Sequence, residues 1–337
     1  MPAEKTGHAP DINKENKEVE PKITVDFFFS AHGSPEDFDR LPAALKNADV
    51  YIPEQVGWTK KQEQIINQVS QGKTKLEIEP GSIQETEVSS LYNTKIPIFF
   101  VDIPKGHSLI KKIEDSIIKT QDATKKFYQG NFDKALEIEK KATMDMALAM
   151  KEREDFIADK LKKELGILTK KFPQLKNKPD IRVLIQLGMA HTTVYRKLKA
   201  ELPFPKMTLG RDAFVFDTSR EIIRRLIKNP QEIVDDGLYA KSMMENLVAG
   251  FFLHNVTNDT NKINWASRKL VAHLSTDQIR SFSKDMGDLS NVTTMLQSYE
   301  IRIKKLIRKL EKIGVKLPTT EEEIDKLLNI KHGFRQI

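Results

Sequence analysis

Ile23-Thr24-Val25-Asp26-Phe27-Phe28-Phe29-Ser30-Ala31-His32-Gly33 is the stretch on which the fold turns. Its first seven residues are β-branched or aromatic at six positions, the composition of a strand buried on both faces. The run then breaks into Ser30-Ala31-His32-Gly33, a tight turn that leaves a histidine at the end of the strand. Ser34-Pro35-Glu36-Asp37 follows with a helix-start signature: a capping hydroxyl, a proline in the first turn and early acids. Strand, turn and helix in that order predict an α/β unit.

The same reading extends down the chain. Asp49-Val50-Tyr51-Ile52 predicts a second strand stopped by Pro53-Glu54, and Thr59 to Gln71 a polar helix. Ile96-Pro97-Ile98-Phe99-Phe100-Val101 predicts a third strand ending at Asp102, and Ile181 to Leu187 a fourth, leading through Gly188-Met189-Ala190 to His191. Phe214-Val215-Phe216 is a candidate edge strand, and Gly72 to Lys95 is left irregular or briefly helical. Between the third and fourth strands the texture is helical. Leu109, Ile110, Ile113 and Ile117 recur at helical spacing, and a long helix is predicted from Asp133 to Lys170. Its apolar stripe runs Met146, Met150, Arg153, Ile157, Leu161, so an arginine lies on the face that should point inward. From Ser219 onward the pattern is helical throughout. Val292, Leu296, Tyr299, Ile303, Leu306, Leu310 and Ile313 alternate steps of four and three, the spacing of a packed seam.

The expected fold is therefore α/β, with a central sheet of about four to six strands flanked by long helices and an all-helical C-terminal region. The expected divisions are a tail over 1–22, an α/β core over 23–217 and a helical region over 218–337. The tail has few apolar side chains to bury. At 337 residues and 31% charged residues the remainder has a globular composition. No apolar run reaches the ~20 residues of a membrane helix, and no secretory signal precedes the first strand. The absence of cysteine excludes disulfides, thiolate metal sites and a cysteine nucleophile. Together these predict a cytoplasmic protein with no membrane span.

The net charge is +7, from 55 basic and 48 acidic residues, which describes a mixed surface. The basic face Arg302, Lys304, Lys305, Arg308, Lys309 and Lys312 is interrupted by Glu300 and Glu311 and lacks interleaved aromatics. It reads as a solvated face, against a nucleic-acid partner. The C-terminal helices are the candidate surface for a homo-oligomer.

His32, Glu54, Asp102 and His191 all fall at or just past the predicted ends of strands, where parallel sheets collect their ligands. Two imidazoles and two carboxylates on one edge suit a divalent metal, or a general base with its orienting acid. Each has a plainer alternative: His32 in the turn, Glu54 in an exposed loop, Asp102 capping a turn, His191 starting a helix. Arg153 could likewise extend to the surface. If it stays on the inward stripe it needs an anionic partner, and strand-end logic nominates Glu54 and Asp102.

Glu152-Arg153-Glu154-Asp155-Phe156-Ile157, followed by a strand and Leu187-Gly188-Met189-Ala190-His191, resembles the TraB/PrgY–Tiki family. In that family a helix bearing Glu-Arg-Asp precedes a strand ending in Gly-x-x-His. The upstream order agrees: a strand ending at Ser30-Ala31-His32, then one ending at Glu54. The wider group includes erythromycin-esterase-like and ChaN-like proteins, and the resemblance covers about Ile23 to Glu201. Two positions depart from the pattern. Phe29 stands where the first motif usually has glycine, and Gly57-Trp58-Thr59 follows Glu54 where an arginine is usual. The resemblance implies an α/β core and a metal-dependent hydrolase, peptidase or esterase-like, acting on a small-molecule or peptide substrate. In that reading His32, Glu54 and His191 hold a divalent metal (Mn, Co, Zn or Fe) or activate water directly. Arg153 stabilises the developing oxyanion or grips a substrate carboxylate, and Asp102 lies beside the bound group. The alternative is a non-catalytic ligand-binding or regulatory protein of the same fold.

Overall fold

The computed structural model describes residues 21–31, 35–76, 83–202, 205–210, 215–287 and 295–328. Four parallel strands form the sheet: β1 (Lys22–Ser30), β2 (Val50–Ile52), β3 (Asp180–Gly188) and β4 (Lys206–Leu209). Their order is β2-β3-β1-β4, so β1 and β3, the two most apolar runs, lie in the middle. They pair over their whole length, from Lys22 opposite Asp180 to Ser30 opposite Gly188. All four strands point the same way, and their carboxyl ends fall on one edge.

Helices α1 (Leu41–Leu45), α2 (Lys60–Ser70) and α3 (Ile83–Leu91) follow the first strands. The antiparallel-capable pair α4 (Ser108–Tyr128) and α5 (Phe132–Gly166) is joined by a turn in which Gly130 takes a φ of 81°, a left-handed conformation that glycine adopts without steric cost. Then come α6 (Leu168–Lys171), α7 (Thr192–Lys199) after β3, and the C-terminal helices. These are α8 (Thr218–Lys228), α9 (Asp236–Asn255), α10 (Thr260–Val271), α11 (Thr276–Gly287), α12 (Met295–Lys312) and α13 (Glu321–Leu327). The fold is α/β, with helices flanking the sheet and the described C-terminal residues arranged as helices.

Helix α5 connects two apolar cores. At 35 residues it is about 52 Å long, and it contributes buried residues to both. Its first half buries Ala135, Leu136 and Ala147 with the C-terminal helices, in a cluster that also holds Phe252, Leu270, Leu306 and Leu310. Its second half buries Ile157, Ala158, Leu161 and Leu165 against Phe27, Phe29, Val183 and Ile185 of the sheet. Arg153 lies between the two halves. The seam of α12 packs as its spacing predicts at Ile303, Leu306 and Leu310, all buried, while Ile313 is exposed at the end of the row. Val292 lies outside the described residues.

Several local expectations are corrected. Ile96–Val101 is not a strand; its one ladder contact is a bridge between Ile98 and Tyr51. The cause is α2. Asn67 receives the Ile98 N–H at 2.9 Å and donates to the Ile98 carbonyl at 2.6 Å. Glu63 accepts from the Phe100 N–H, and the Ser70 hydroxyl donates to the Ile96 carbonyl. Side chains thus satisfy the backbone groups a neighbouring strand would have taken. The apolar run is nonetheless buried, with Ile98, Phe99 and Val101 in the core.

Val215 and Phe216 form no strand. Asn261 accepts the Val215 N–H, and Phe214 lies outside the described residues. The edge strand is β4 instead, paired with β1 from Asp26 to Phe29. Pro35–Phe38 is a single 3-10 turn before α1, with Ser34 outside the described residues. The long helix stops at Gly166, and α6 follows as a separate turn. Within the stretch left unassigned, α3 is a regular helix. Along α4 the buried positions are Leu109, Ser116, Ala123 and Phe127, and Ile117 faces outward.

Candidate functional site

The carboxyl edge of the sheet carries a row of hydrogen bonds that ties three strands together. Proline at 53 has no N–H to continue a ladder, so β2 ends at Ile52 and the chain turns over the end of β3. There the Glu54 N–H donates to Gln186 Oε1 at 3.1 Å, and Glu54 Oε2 accepts from the Gly188 N–H at 2.5 Å. Gln186 Nε2 in turn donates to Ser30 Oγ at 3.0 Å. Gln186 and Ser30 are both buried, so the amide spends its donor and its acceptor inside the protein.

Arg153 reaches this edge from α5. Its guanidinium grips Asp102 with two bonds, Nε to Oδ1 at 2.9 Å and Nη2 to Oδ2 at 2.5 Å. This planar fork on a carboxylate is the strongest form of ion pair available to arginine. Nη2 also donates to Glu54 Oε1 at 2.6 Å, and Nη1 lies 3.2 Å from His191 Nε2. Asp102 is itself anchored: its Oδ1 accepts the Ile103 N–H, and its carbonyl accepts the Trp58 indole N–H. The expectation that an inward arginine needs carboxylate partners, with Glu54 and Asp102 as the candidates, matches this arrangement.

His191 closes the cluster. Strand β3 delivers it through one 3-10 turn, and α7 begins at the next residue. Its Nε2 is 3.1 Å from Glu54 Oε1, and its Nδ1 is 3.4 Å from Glu154 Oε1. Burial works against a charge on the ring, but the carboxylates of Glu54 and Glu154 outweigh it and lift the pKa to about 9. The Arg153 guanidinium, 3.2 Å from Nε2, works the other way, so the raised value rests on Glu54 and Glu154 together. Burial likewise opposes the Arg153 charge, and Asp102 and Glu54 more than offset it, raising its pKa further.

The cluster is mostly closed to solvent. The side chains of Asp102, Arg153, Glu154 and His191 are 6% exposed or less, and Glu54 is 13% exposed. Glu54 thus has the largest exposed fraction of the five. A cavity of about 350 Å³ is lined by its chain neighbours Pro53 and Gln55, together with Ile66, Leu91 and Phe100.

Of the residues nominated from sequence, Glu54, Asp102, Arg153 and His191 come together. His32 lies outside the described residues, which end on this strand at Ala31. No family model matches the chain, and neither a curated protein nor a solved structure does.

Three members of the cluster were not nominated from sequence: Ser30, Gln186 and Glu154. Gln186 had a signal, as the one polar residue in Val183-Leu184-Ile185-Gln186-Leu187. Glu154 adjoins Arg153, on the same inward side of the helix.

With His32 outside the described residues, Glu54 and His191 alone do not make up a cation site, and a guanidinium 2.6 Å from Glu54 already supplies positive charge there. Among the described residues, no group of three or more His, Asp and Glu side chains is placed to hold a metal ion. Asp102 has both oxygens committed to Arg153, so it anchors the arginine and presents no free oxygen to a bound group.

Proposed function

We propose that the chain is a hydrolase of the TraB/Tiki type whose carboxylate–imidazole pair handles the proton of an attacking water directly. The observation that carries this reading is the Glu54–His191 contact at 3.1 Å, held in place by Arg153. Glu54 is the group with an exposed edge, so it receives the water. Arg153 and the Gly188 N–H fix the orientation of its two oxygens, which is what a general base requires before its pKa matters. Glu54 takes the water proton as the hydroxide adds to a carbonyl. The same proton then passes to the leaving oxygen or nitrogen as the tetrahedral intermediate collapses. His191 and Arg153 balance the changing charge on Glu54 from behind. Arg153 is a positioning residue in this scheme, because its Nε and Nη2 donors are committed to Asp102 and Glu54. His32 enters on the resemblance and on its place in the chain, two residues after Ser30, as a second group for the same water. The substrate class is an ester or peptide bond. The lack of cysteine fits a reducing, cytoplasmic setting, and no helix among the described residues is long and apolar enough to cross a membrane.

A second reading, a ligand-binding protein without catalysis, is favoured by how little of the cluster is open to solvent, with Asp102, Arg153, Glu154 and His191 buried. The two part on one assay. Purified chain is offered p-nitrophenyl esters and fluorogenic peptides, in EDTA and in Mn²⁺ or Zn²⁺. Hydrolysis that survives EDTA and is lost in Glu54→Gln and His32→Ala supports the hydrolase. Wild-type turnover no faster than either variant throughout the panel refutes it.

A further inference from the structure

We propose that the groove between α5, α7 and α8 is a binding site for the phosphate group of a small phosphorylated ligand, gripped by Arg196 and Arg224. The site is distinct from the Glu54 cluster and stands without the hydrolase reading.

The groove has a volume of about 520 Å³, within the range of small-molecule sites. Six cationic side chains line it against only two carboxylates, Asp155 and Glu221. Both carboxylates are already taken. Asp155 pairs with Lys151 at 3.3 Å and with Lys197, and Glu221 pairs with Arg225 and with Arg268 of α10. That leaves Arg196, Arg224 and Lys228 with no carboxylate partner among the described residues.

Arg224 is the informative one. It is half-buried, its guanidinium lies 4.3 Å from the Phe216 ring centroid, and Nη2 donates weakly to Thr192 Oγ1 at 3.4 Å. One face is therefore covered and most of its donors are unspent. Burial and the nearby Arg196 charge lower its pKa by more than the carboxylates of Glu154 and Glu221 raise it, the sign of a cation held where a charge is disfavoured. Two guanidiniums repelling each other across a half-enclosed groove are relieved when a dianion bridges them. A phosphate matches their planar forks bidentately. The hydroxyl of Thr192 and that of Thr193, also on the groove wall, supply neutral donors for the remaining oxygens. The cations line a concavity, which favours a compact phosphate over the extended backbone of a nucleic acid.

The test is calorimetric titration of the full chain with inorganic pyrophosphate at fixed ionic strength, with sulfate at equal concentration as a control. Saturable binding, stronger than that of sulfate, is expected. Arg224→Gln and the exposed Arg196→Ala should each weaken it about tenfold or more while the thermal midpoint stays near wild type. Arg302→Ala, on α12, should leave it unchanged. The proposal is overturned by no saturable binding at millimolar pyrophosphate. It is equally overturned by affinity unaffected in Arg196→Ala, or by a single-stranded oligonucleotide binding more tightly than pyrophosphate at the same salt.

Discussion

Replacing Arg153 by methionine keeps the length and apolar stem of the side chain and deletes the charge. The stem stands between Met150 and Ile157 on the same helical stripe, three and four residues away, and methionine retains it. The electrostatic loss is large, because Asp102 and Glu54 keep their positions and lose the guanidinium bound to both. Breaking a buried pair by removing one partner costs about 3–5 kcal/mol, against about 5–15 kcal/mol for a whole domain. The variant should therefore fold but unfold at lower urea. Urea unfolding followed by circular dichroism, for wild type and Arg153→Met at pH 7, measures the cost. Arg153→Met with Asp102→Asn should be more stable at pH 7 than Arg153→Met alone, since one of the two orphaned charges is gone. A loss below about 1 kcal/mol at pH 7, or a double variant no more stable than Arg153→Met, refutes the reasoning.

Two further predictions concern the helical core. Glu139 on α5 is buried with no partner for Oε2, and burial raises its pKa to about 7. The folded protein thus holds this proton where the unfolded chain has released it. Stability from Glu139 is full below about pH 4.5 and is lost as pH rises through 7. Glu139→Gln should stabilise by up to about 3 kcal/mol at pH 8 and by little at pH 4, read from urea midpoints. Leu306 is fully buried in α12, so Leu306→Asp should lower stability by several kcal/mol, and a wild-type melting curve would show that the seam is not packed.

Much of the site was legible because the apolar strand runs end at marked residues. Pro53, with no N–H for a ladder, places Glu54, and Gly188, the last residue of β3, places His191. Arg153 was legible as a charge on an apolar stripe. What failed had a common cause, since pattern records which residues are buried and not what satisfies their backbone. Ile96–Val101 is as buried as a strand, yet Asn67, Glu63 and Ser70 of α2 take its hydrogen bonds. β4 was missed for the converse reason. Lys206-Met207-Thr208 is exposed at the sheet edge and carries no burial pattern to read. Glu154 was passed over because a glutamate on a charged helix is ordinarily solvated, and only the tertiary structure puts His191 beside it.

The central claim is that His191 carries a proton against Glu54 inside the protein, and titration of its ring by nuclear magnetic resonance tests this most directly. In wild type the His191 resonances should titrate near 9, with the ring protonated throughout the neutral range. In Glu54→Gln the largest carboxylate contribution is removed while burial remains, so the midpoint should fall markedly. A wild-type midpoint at or below 6.5, or one that Glu54→Gln leaves in place, would contradict the account.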